Sequence, residues 1–150
     1  MRSPLLPSRQ RGMSMIEVLV AIVILAIGLL GLAGLQLRAM ATNQGALYRA
    51  QATLLADEIV ERMRGNLNAA QTYGLTIDAA APTGSEVRDR DLADWRLRLQ
   101  NTLPDGVGAV TINTGTEQAT VLIQWNDSRA ARGNAIGTHT LVARIWNDNR

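Results

Sequence analysis

The sequence predicts an α+β fold in which one long N-terminal helix precedes a small antiparallel β-sheet. Two neighbouring features indicate the helix: an unbroken apolar run at residues 18–35, and a proline-free segment at 36–64 that is rich in Ala, Leu, Glu and Arg. A third feature indicates the sheet. Three runs rich in β-branched residues close the chain, at 107–112, 119–125 and 138–146.

The apolar run is long enough to cross a bilayer. Its 18 residues carry no charge, and at about 1.5 Å of rise per residue they give roughly 27 Å of helix. Arginines stand at positions 2, 9 and 11, with no acidic residue among the first twelve, so the positive-inside bias predicts a cytoplasmic N-terminus and an exported remainder. Glu17 immediately precedes this run. Its carboxylate costs about 2.5 to 3.5 kcal/mol if carried to mid-bilayer, so we expect it to have a dedicated partner.

These residues resemble the class III signal of type IV pilins and pseudopilins. The resemblance rests on the basic leader, Gly12, the stretch Met-Ser-Met-Ile at 13–16, Glu17 and the apolar sequence VLVAIVILAIG that follows. It implies that a prepilin peptidase cuts between Gly12 and Met13 and methylates the new amine of Met13. It also implies that Glu17, the fifth residue of the mature chain, forms an assembly salt bridge. The chain departs from major pilins by having Met13 in place of Phe and Gly34 in place of Pro.

Two other interpretations of the N-terminal region remain open. A plain single-span anchor needs neither Gly12 nor Glu17. A conventional signal peptide is conceivable because residues 39–41 read Ala-Met-Ala, although its apolar core of 18 residues exceeds the usual 7 to 15. With the prepilin interpretation, the predicted segments are the leader at 1–12, the membrane half of the helix at 13–40, the amphipathic half at 41–66 and the head at 67–150.

The second half of the helix is amphipathic. Apolar side chains recur at steps of three and four residues and form one stripe, and Gly65 ends the helix. Gly45 is its weak point, because glycine costs about 1 kcal/mol relative to alanine in a helix interior. The segment ALYRAQATLLADEIVERMRGN resembles the minor pilins called PilV, or type IV pilus modification proteins. This resemblance implies a ladle-shaped molecule, in which the long helix is the handle and packs on a small α+β head. The stripe consists of Tyr48, Ala52, Leu55, Ile59 and Met63.

The head is predicted to contain a loop, a short helix and a three-stranded meander. Residues 67–89 are polar and small and predict a long loop. Asp89 and Asp91 are candidate caps of a helix that ends before Pro104, although alternating apolar residues also permit a strand at 91–103. A tight turn at 113–116 and a longer loop at 127–137 join the strands. The helix would bury Leu92, Trp95, Leu99 and Leu103 on one face.

Composition and motifs favour a structural role over catalysis. The chain has 15 Arg, no Lys and 13 acidic residues, and loss of the three leader arginines would leave 12 basic residues against 13 acidic ones, so nucleic acid is not an expected partner. Without Cys there is no thiolate chemistry. The single histidine, His139, falls in a predicted strand, and no nucleotide, serine-hydrolase or zinc motif occurs. No enzyme activity and no cofactor are expected. Calcium binding by Asp127 and Asp148, each following Trp-Asn, stays open.

The resemblance implies the function of a minor pilin that primes type IV pilus assembly and is incorporated near the filament tip. The expected partners are prepilin peptidase, other minor pilins, the major pilin, the inner-membrane assembly machinery, a tip adhesin and the lipid bilayer. The chain would first reside in the bacterial inner membrane with its head in the periplasm, and later in the pilus at the cell surface. A minor pseudopilin of a type II secretion system and a membrane-tethered periplasmic binding domain are the alternatives.

Overall fold

The fold was obtained as a computed structural model, which describes residues 13–128 and 136–146. Helix α1 spans Met15–Gly65, a short 3-10 helix spans Leu67–Thr72, and α2 spans Val87–Thr102. Strands β1, β2 and β3 follow, with the bounds Val107–Asn113, Gln118–Asn126 and Ile136–Arg144. One long helix before a small sheet is an α+β, pilin-like architecture, as the sequence predicts. The chain divides into two compact units between residues 39 and 40.

The first unit contains the apolar half of α1. Every residue from 13 to 40 is exposed, including the large aliphatic side chains throughout this half. Within the described part of the chain, α1 is the one helix that is long and apolar enough to cross a membrane. Ala, Leu, Ile and Val dominate this half, and neither a proline nor a charge interrupts it between residues 18 and 37, which explains its regularity.

The second unit is built around the predicted stripe of α1. Ala52, Leu55, Ile59 and Met63 are buried, and Tyr48 is half-buried against them, which confirms the stripe. Gly45 is buried within an unbroken helix. The stripe belongs to one continuous core with the inner face of α2 and alternate residues of the strands. The largest fully buried side chains of this core are Trp95, Tyr73, Ile59, Met63, Leu92, Leu99, Leu103, Ile123 and Val121.

The sheet is an antiparallel meander in the order β1-β2-β3, as predicted. Central strand β2 alternates buried and partly exposed residues, and Val121 pairs with Val110 on one side and Leu141 on the other. This alternation places one face of the sheet on the core. The turn between β1 and β2 is stabilised by the Asn113 side chain, which accepts hydrogen bonds from the amides of Gly115 and Thr116 at 3.0 and 3.1 Å.

The structure corrects three predictions for the head. Residues 67–89 are not one loop, because they contain the 3-10 helix, a two-residue bridge between Leu75 and Val110, and the first residues of α2. The helix interpretation of 91–103 is confirmed and the strand interpretation is wrong. Asp89 and Asp91, however, do not cap α2: the helix begins at Val87 after Glu86, so Asp89 lies in the first turn and Asp91 inside the helix.

The third correction concerns β3, which begins and ends two residues before the predicted 138–146. Gly137, placed in the predicted loop, is instead part of the strand, where glycine is otherwise unfavourable. The structure shows why glycine is present: a Cβ atom at Gly137 would collide with the ring of Trp125 on the neighbouring strand. Trp146 lies beyond the strand and is half-buried against the core.

A test of this packing is the substitution Gly108→Ala. A Cβ atom at Gly108 would lie 2.8 Å from Leu99 Cδ1 and still closer to the fully buried ring of Trp95. Because overpacking of a filled core costs about 1 to 3 kcal/mol, we expect a loss of that size in the free energy of unfolding. Denaturant titration of a chain beginning at Met40 measures it. Gly115→Ala is the matched control, since its Cβ would meet only Asn113 Oδ1 at 3.5 Å. Equal stability of the two variants would contradict the packing argument.

Candidate functional site

The start of α1 carries the residues that the sequence marks for processing and assembly. Ser14 caps the helix: its hydroxyl accepts a 3.4 Å hydrogen bond from the amide of Ile16, and its carbonyl accepts one of 3.0 Å from the amide of Glu17. Met13 is 75% exposed and stands outside the helix. Gly12 lies outside the described residues. The helix thus begins two residues after the predicted cut and leaves Met13 free of intrahelical bonds.

Glu17 occupies the first turn of α1 with an exposed side chain. Its carboxylate contacts no hydrogen-bonding or ionic partner within the part of the chain that the structure describes. A negative charge in the first turn gains about 0.3 to 1 kcal/mol from the helix dipole. That gain is smaller than the cost of about 2.5 to 3.5 kcal/mol for a carboxylate carried to mid-bilayer. The helix dipole alone would therefore not offset that cost if Glu17 were carried to mid-bilayer.

The apolar half of α1 supplies the largest unpartnered surface of the described residues. Its aliphatic side chains are between 41% and 73% exposed from Val18 to Leu37. Contiguous exposed apolar surface of this kind marks a membrane or protein contact, because it is unfavourable in water. This surface fits membrane anchoring, and it begins directly after Glu17.

The other candidate residues do not assemble into a chemical site. His139 lies in the middle of β3, paired with Ile123, and its buried Nε2 has no hydrogen-bond partner among the described residues. Asp127 is 3% exposed, and within the part of the chain that the structure describes its Oδ1 has no hydrogen-bond partner. Asp148 lies outside the described residues, so the calcium hypothesis is not tested. Across residues 13–128 and 136–146, no three His or acidic side chains cluster as metal ligands.

A polar network in the head was missed by the sequence analysis. The hydroxyl of the fully buried Tyr73 donates a 2.5 Å hydrogen bond to Asp91 Oδ2 and accepts one of 3.2 Å from Asn66. Arg62 pairs with Asp91 at 3.2 Å and with Glu58, one turn earlier on α1, at 2.7 Å. The network joins the end of α1, the 3-10 segment and α2. Asp91 is therefore a packing residue and not a helix cap.

Arg96 is a second buried polar residue that the sequence did not mark. The residue is 6% exposed, and its Nη2 donates to the carbonyls of Thr76 and Ile77 at 2.8 and 2.9 Å. Burial lowers the pKa of Arg96, while the nearby Asp78 opposes this shift. The residue anchors the irregular segment that precedes α2. Only its place on the inner face of α2, between Leu92 and Leu99, could have suggested burial.

The network predicts a pH-dependent stability. Burial and the hydrogen bond to Asp91 raise the pKa of Tyr73 from 10.0 to about 12. Because the unfolded chain loses this proton first, the stabilisation is complete below pH 10 and is lost as the pH rises through about 12. We expect Tyr73→Phe to lower the free energy of unfolding by about 1 to 3 kcal/mol at pH 7 and to remove this alkaline loss.

Urea titrations of the chain beginning at Met40, between pH 7 and 12, measure both effects. Tyr48→Phe is the control, because the Tyr48 hydroxyl is held by a 3.4 Å contact with Gln44 at the helix surface. An alkaline profile of Tyr73→Phe that coincides with the wild-type profile would contradict the role of the buried hydroxyl.

Comparison with known proteins identifies two consecutive regions. Residues 7–33 match the prokaryotic N-terminal methylation motif, and residues 34–91 match the family described as type IV pilin Tt1218. Searches among curated proteins and among solved structures found no match. The first region contains Gly12, Met13 and Glu17, and the second contains the core stripe of α1 together with Tyr73 and Asp91. On an α+β, pilin-like fold, the chain therefore carries the two successive signatures of a type IV pilin: the methylation motif and a Tt1218-like pilin region.

Proposed function

We propose that this chain is a minor pilin of the PilV type that primes type IV pilus assembly and enters the filament near its tip. The observation that carries the proposal is the methylation motif at residues 7–33, whose apolar part lies on the exposed first half of α1. A membrane anchor alone accounts for the apolar helix but not for the match to the methylation motif. A filament subunit needs both, because its helix must leave the lipid and pack against other subunits.

Processing is the first step of the proposed pathway. Prepilin peptidase removes residues 1–12 by cutting after Gly12 and methylates the amine of Met13. The exposure of Met13 ahead of the capped helix supports this, since a peptidase needs an extended segment that is not held in helical hydrogen bonds. Until assembly, the chain resides in the inner membrane with its N-terminus in the cytoplasm and its head in the periplasm.

Assembly follows by exchange of lipid for protein contacts. The side chains between Val18 and Leu37 are covered first by acyl chains and then by helices of neighbouring subunits, so little apolar surface meets water during extraction. Glu17 directs this step by pairing with the Met13 amine of an adjacent subunit. An opposite charge within about 4 Å contributes about 4 kcal/mol at an effective dielectric constant of 20, enough to offset burial of the carboxylate.

The head contributes recognition and no catalysis. Other minor pilins, the major pilin, the inner-membrane assembly machinery and a tip adhesin are the proposed partners. The polar network around Asp91 keeps the head rigid, because it cross-links α2 to the end of α1 through Arg62 and Tyr73. A rigid head presents the same surface to each neighbour, which favours a defined position within the tip complex.

The function is tested by deleting the gene and analysing pili sheared from the cell surface. We expect surface pili to decrease and a plasmid copy to restore them, and we expect the mature chain in the sheared filaments at low stoichiometry. A matched strain that carries Gly115→Ala, a change in an exposed turn, should behave as wild type. Normal piliation together with a defect in protein secretion would contradict the proposal and indicate a pseudopilin.

A further inference from the structure

The outer edge of β3 is the one sheet edge of the described head that is open for pairing. In the order β1-β2-β3, only β1 and β3 have free sides. The side of β1 is occupied at its centre, where Leu75 and Val110 exchange two hydrogen bonds of 2.9 and 2.8 Å. Among the described residues, the hydrogen bond to the outer side of β3 lies at its end, where Arg64 Nη2 donates to the carbonyl of Arg144 at 3.0 Å.

The hydrogen bonds reveal which groups of β3 point outwards. The amide of Ile145 donates to the carbonyl of Glu117, one step beyond the pair Gln118↔Arg144. Because hydrogen-bonded and non-hydrogen-bonded pairs alternate in an antiparallel ladder, the odd-numbered residues of β3 bond to β2. The even-numbered residues therefore direct their N–H and C=O groups to the open edge. The hydrogen bond from Arg64 to the carbonyl of Arg144 agrees with this alternation, because Arg144 is an even-numbered residue. It occupies the last outward-facing position of β3. Among the described residues, four others remain available for pairing at this edge: Ile136, Thr138, Thr140 and Val142.

We propose that this edge pairs with the same edge of a second copy of the chain, around a two-fold axis at His139. The four free residues are chemically symmetric about that point. Antiparallel pairing places Ile136 opposite Val142 of the second copy and Thr138 opposite Thr140, and all four resulting pairs are of the hydrogen-bonded type. This register provides eight backbone hydrogen bonds. On the opposite face of the sheet from these side chains, His139 lies opposite His139 of the second copy.

Side-chain chemistry favours the second copy as the occupant. Ile136 and Val142 are 57% and 56% exposed in the single chain, and the pairing brings them together as apolar cross-strand neighbours. Between residues 136 and 143 the strand carries no acidic residue, arginine, lysine, proline or bulge, which are the features that normally protect an edge from pairing. Because Leu75 occupies the edge of β1, copies cannot add head to tail, and the contact closes as a dimer.

The dimer goes beyond the proposed function, in which nothing requires two heads of this chain to touch. Four paired residues on each side give a small interface, so association depends on local concentration. Anchoring of both chains in one membrane raises their local concentration, so that even a weak contact is formed in a substantial fraction of the chains. The heads of two copies would then share one six-stranded sheet before either copy joins other subunits.

The test is disulfide trapping in the full-length, membrane-inserted chain, which has no native cysteine to interfere. Cysteine at position 139 falls in a non-hydrogen-bonded pair with its copy, where the Cα atoms lie about 4.5 Å apart and allow a disulfide. With His139→Cys, a mild oxidant should give a cross-linked homodimer at a yield several-fold above that of Thr111→Cys. Thr111 is exposed on β1, away from the proposed contact.

Two second-site changes show whether the trapped dimer uses the proposed edge. Thr140→Pro removes an outward N–H that β2 does not use, and Val142→Lys places a charge against Ile136 of the copy. Each, added to His139→Cys, should abolish the cross-link while circular dichroism shows a retained head. If the proline variant unfolds, the result for Val142→Lys is sufficient to show whether the cross-link depends on this edge. Equal yields from positions 139 and 111, persistence of the cross-link in Val142→Lys, no dimer, or a disulfide to a different chain identified by its mass would overturn the proposal.

Discussion

Gly12→Val should leave the chain uncut, so that protein recovered from membranes begins at Met1 and retains its leader. The physical reason is steric: the peptidase of this family cuts after glycine, and a β-branched side chain at that position meets the enzyme where none is accommodated. Retention of residues 1–12 also keeps Met13 from becoming a charged amine. We therefore expect two linked losses, of cleavage and of pilus incorporation. Mass spectrometry of the purified chain measures the first, and sheared filaments the second.

The control for this variant is the same substitution inside the apolar helix. A Cβ atom at Gly28 meets nothing within 4 Å, so Gly28→Val adds bulk to an open surface without touching the cleavage motif. It should insert and be cut as the wild type is. Equal cleavage of Gly12→Val and Gly28→Val would mean that Gly12 is not the cleavage residue.

Glu17→Gln should separate processing from assembly. The substitution keeps the shape of the side chain and removes its charge, so cleavage to Met13 is expected to stay normal. The carboxylate has no partner among the described residues, and its gain from the helix dipole is below 1 kcal/mol, so removing it should not destabilise α1. The loss falls on the contact between subunits, where the ion pair contributes about 4 kcal/mol. Because Glu17→Gln also removes the cost of about 2.5 to 3.5 kcal/mol for burying the carboxylate, the net loss is about 0.5 to 1.5 kcal/mol, which corresponds to a decrease of about two- to tenfold in the association constant.

Co-purification with the other pilins, after mild detergent extraction, measures this effect. Glu61→Gln is a suitable control, because Glu61 belongs to the same helix and pairs with Arg64 at the exposed surface of the head, where an ion pair contributes little. We expect Glu61→Gln to co-purify normally and Glu17→Gln to be depleted from the complex. Unchanged association of the Glu17→Gln variant would contradict the assembly role and indicate that Glu17 is only an interfacial residue at the membrane surface.

The parts of the fold that follow from periodicity were predictable. The α1 stripe from Ala52 to Met63 and the buried face of α2 repeat at helical spacing, and the sheet follows from alternation and a clear turn at Asn113. The methylation motif was readable because all of its parts are contiguous. Local patterns were sufficient for these features.

Features that depend on tertiary contacts were not predictable. Asp91 looked like a cap because of its position near the start of a helix, but Tyr73 and Arg62, far away in sequence, determine its role. Gly137 was assigned to the loop at 127–137, and the Trp125 ring on the neighbouring strand explains why glycine occupies this strand position. The 3-10 helix at Leu67–Thr72 has no periodic signal, because six residues make only two turns. The errors at Asp91 and Gly137 thus arose from partners that the local pattern does not contain.

The most direct test of the pilin account is the N-terminus of the wild-type chain recovered from cell membranes. N-terminal sequencing and intact mass together define both the cut and its modification. The account predicts a chain that begins at Met13, has lost residues 1–12 and carries a methylated amine. A chain beginning at Met1 would indicate a simple anchor, one beginning at Thr42 a conventional signal peptide, and either result would contradict it.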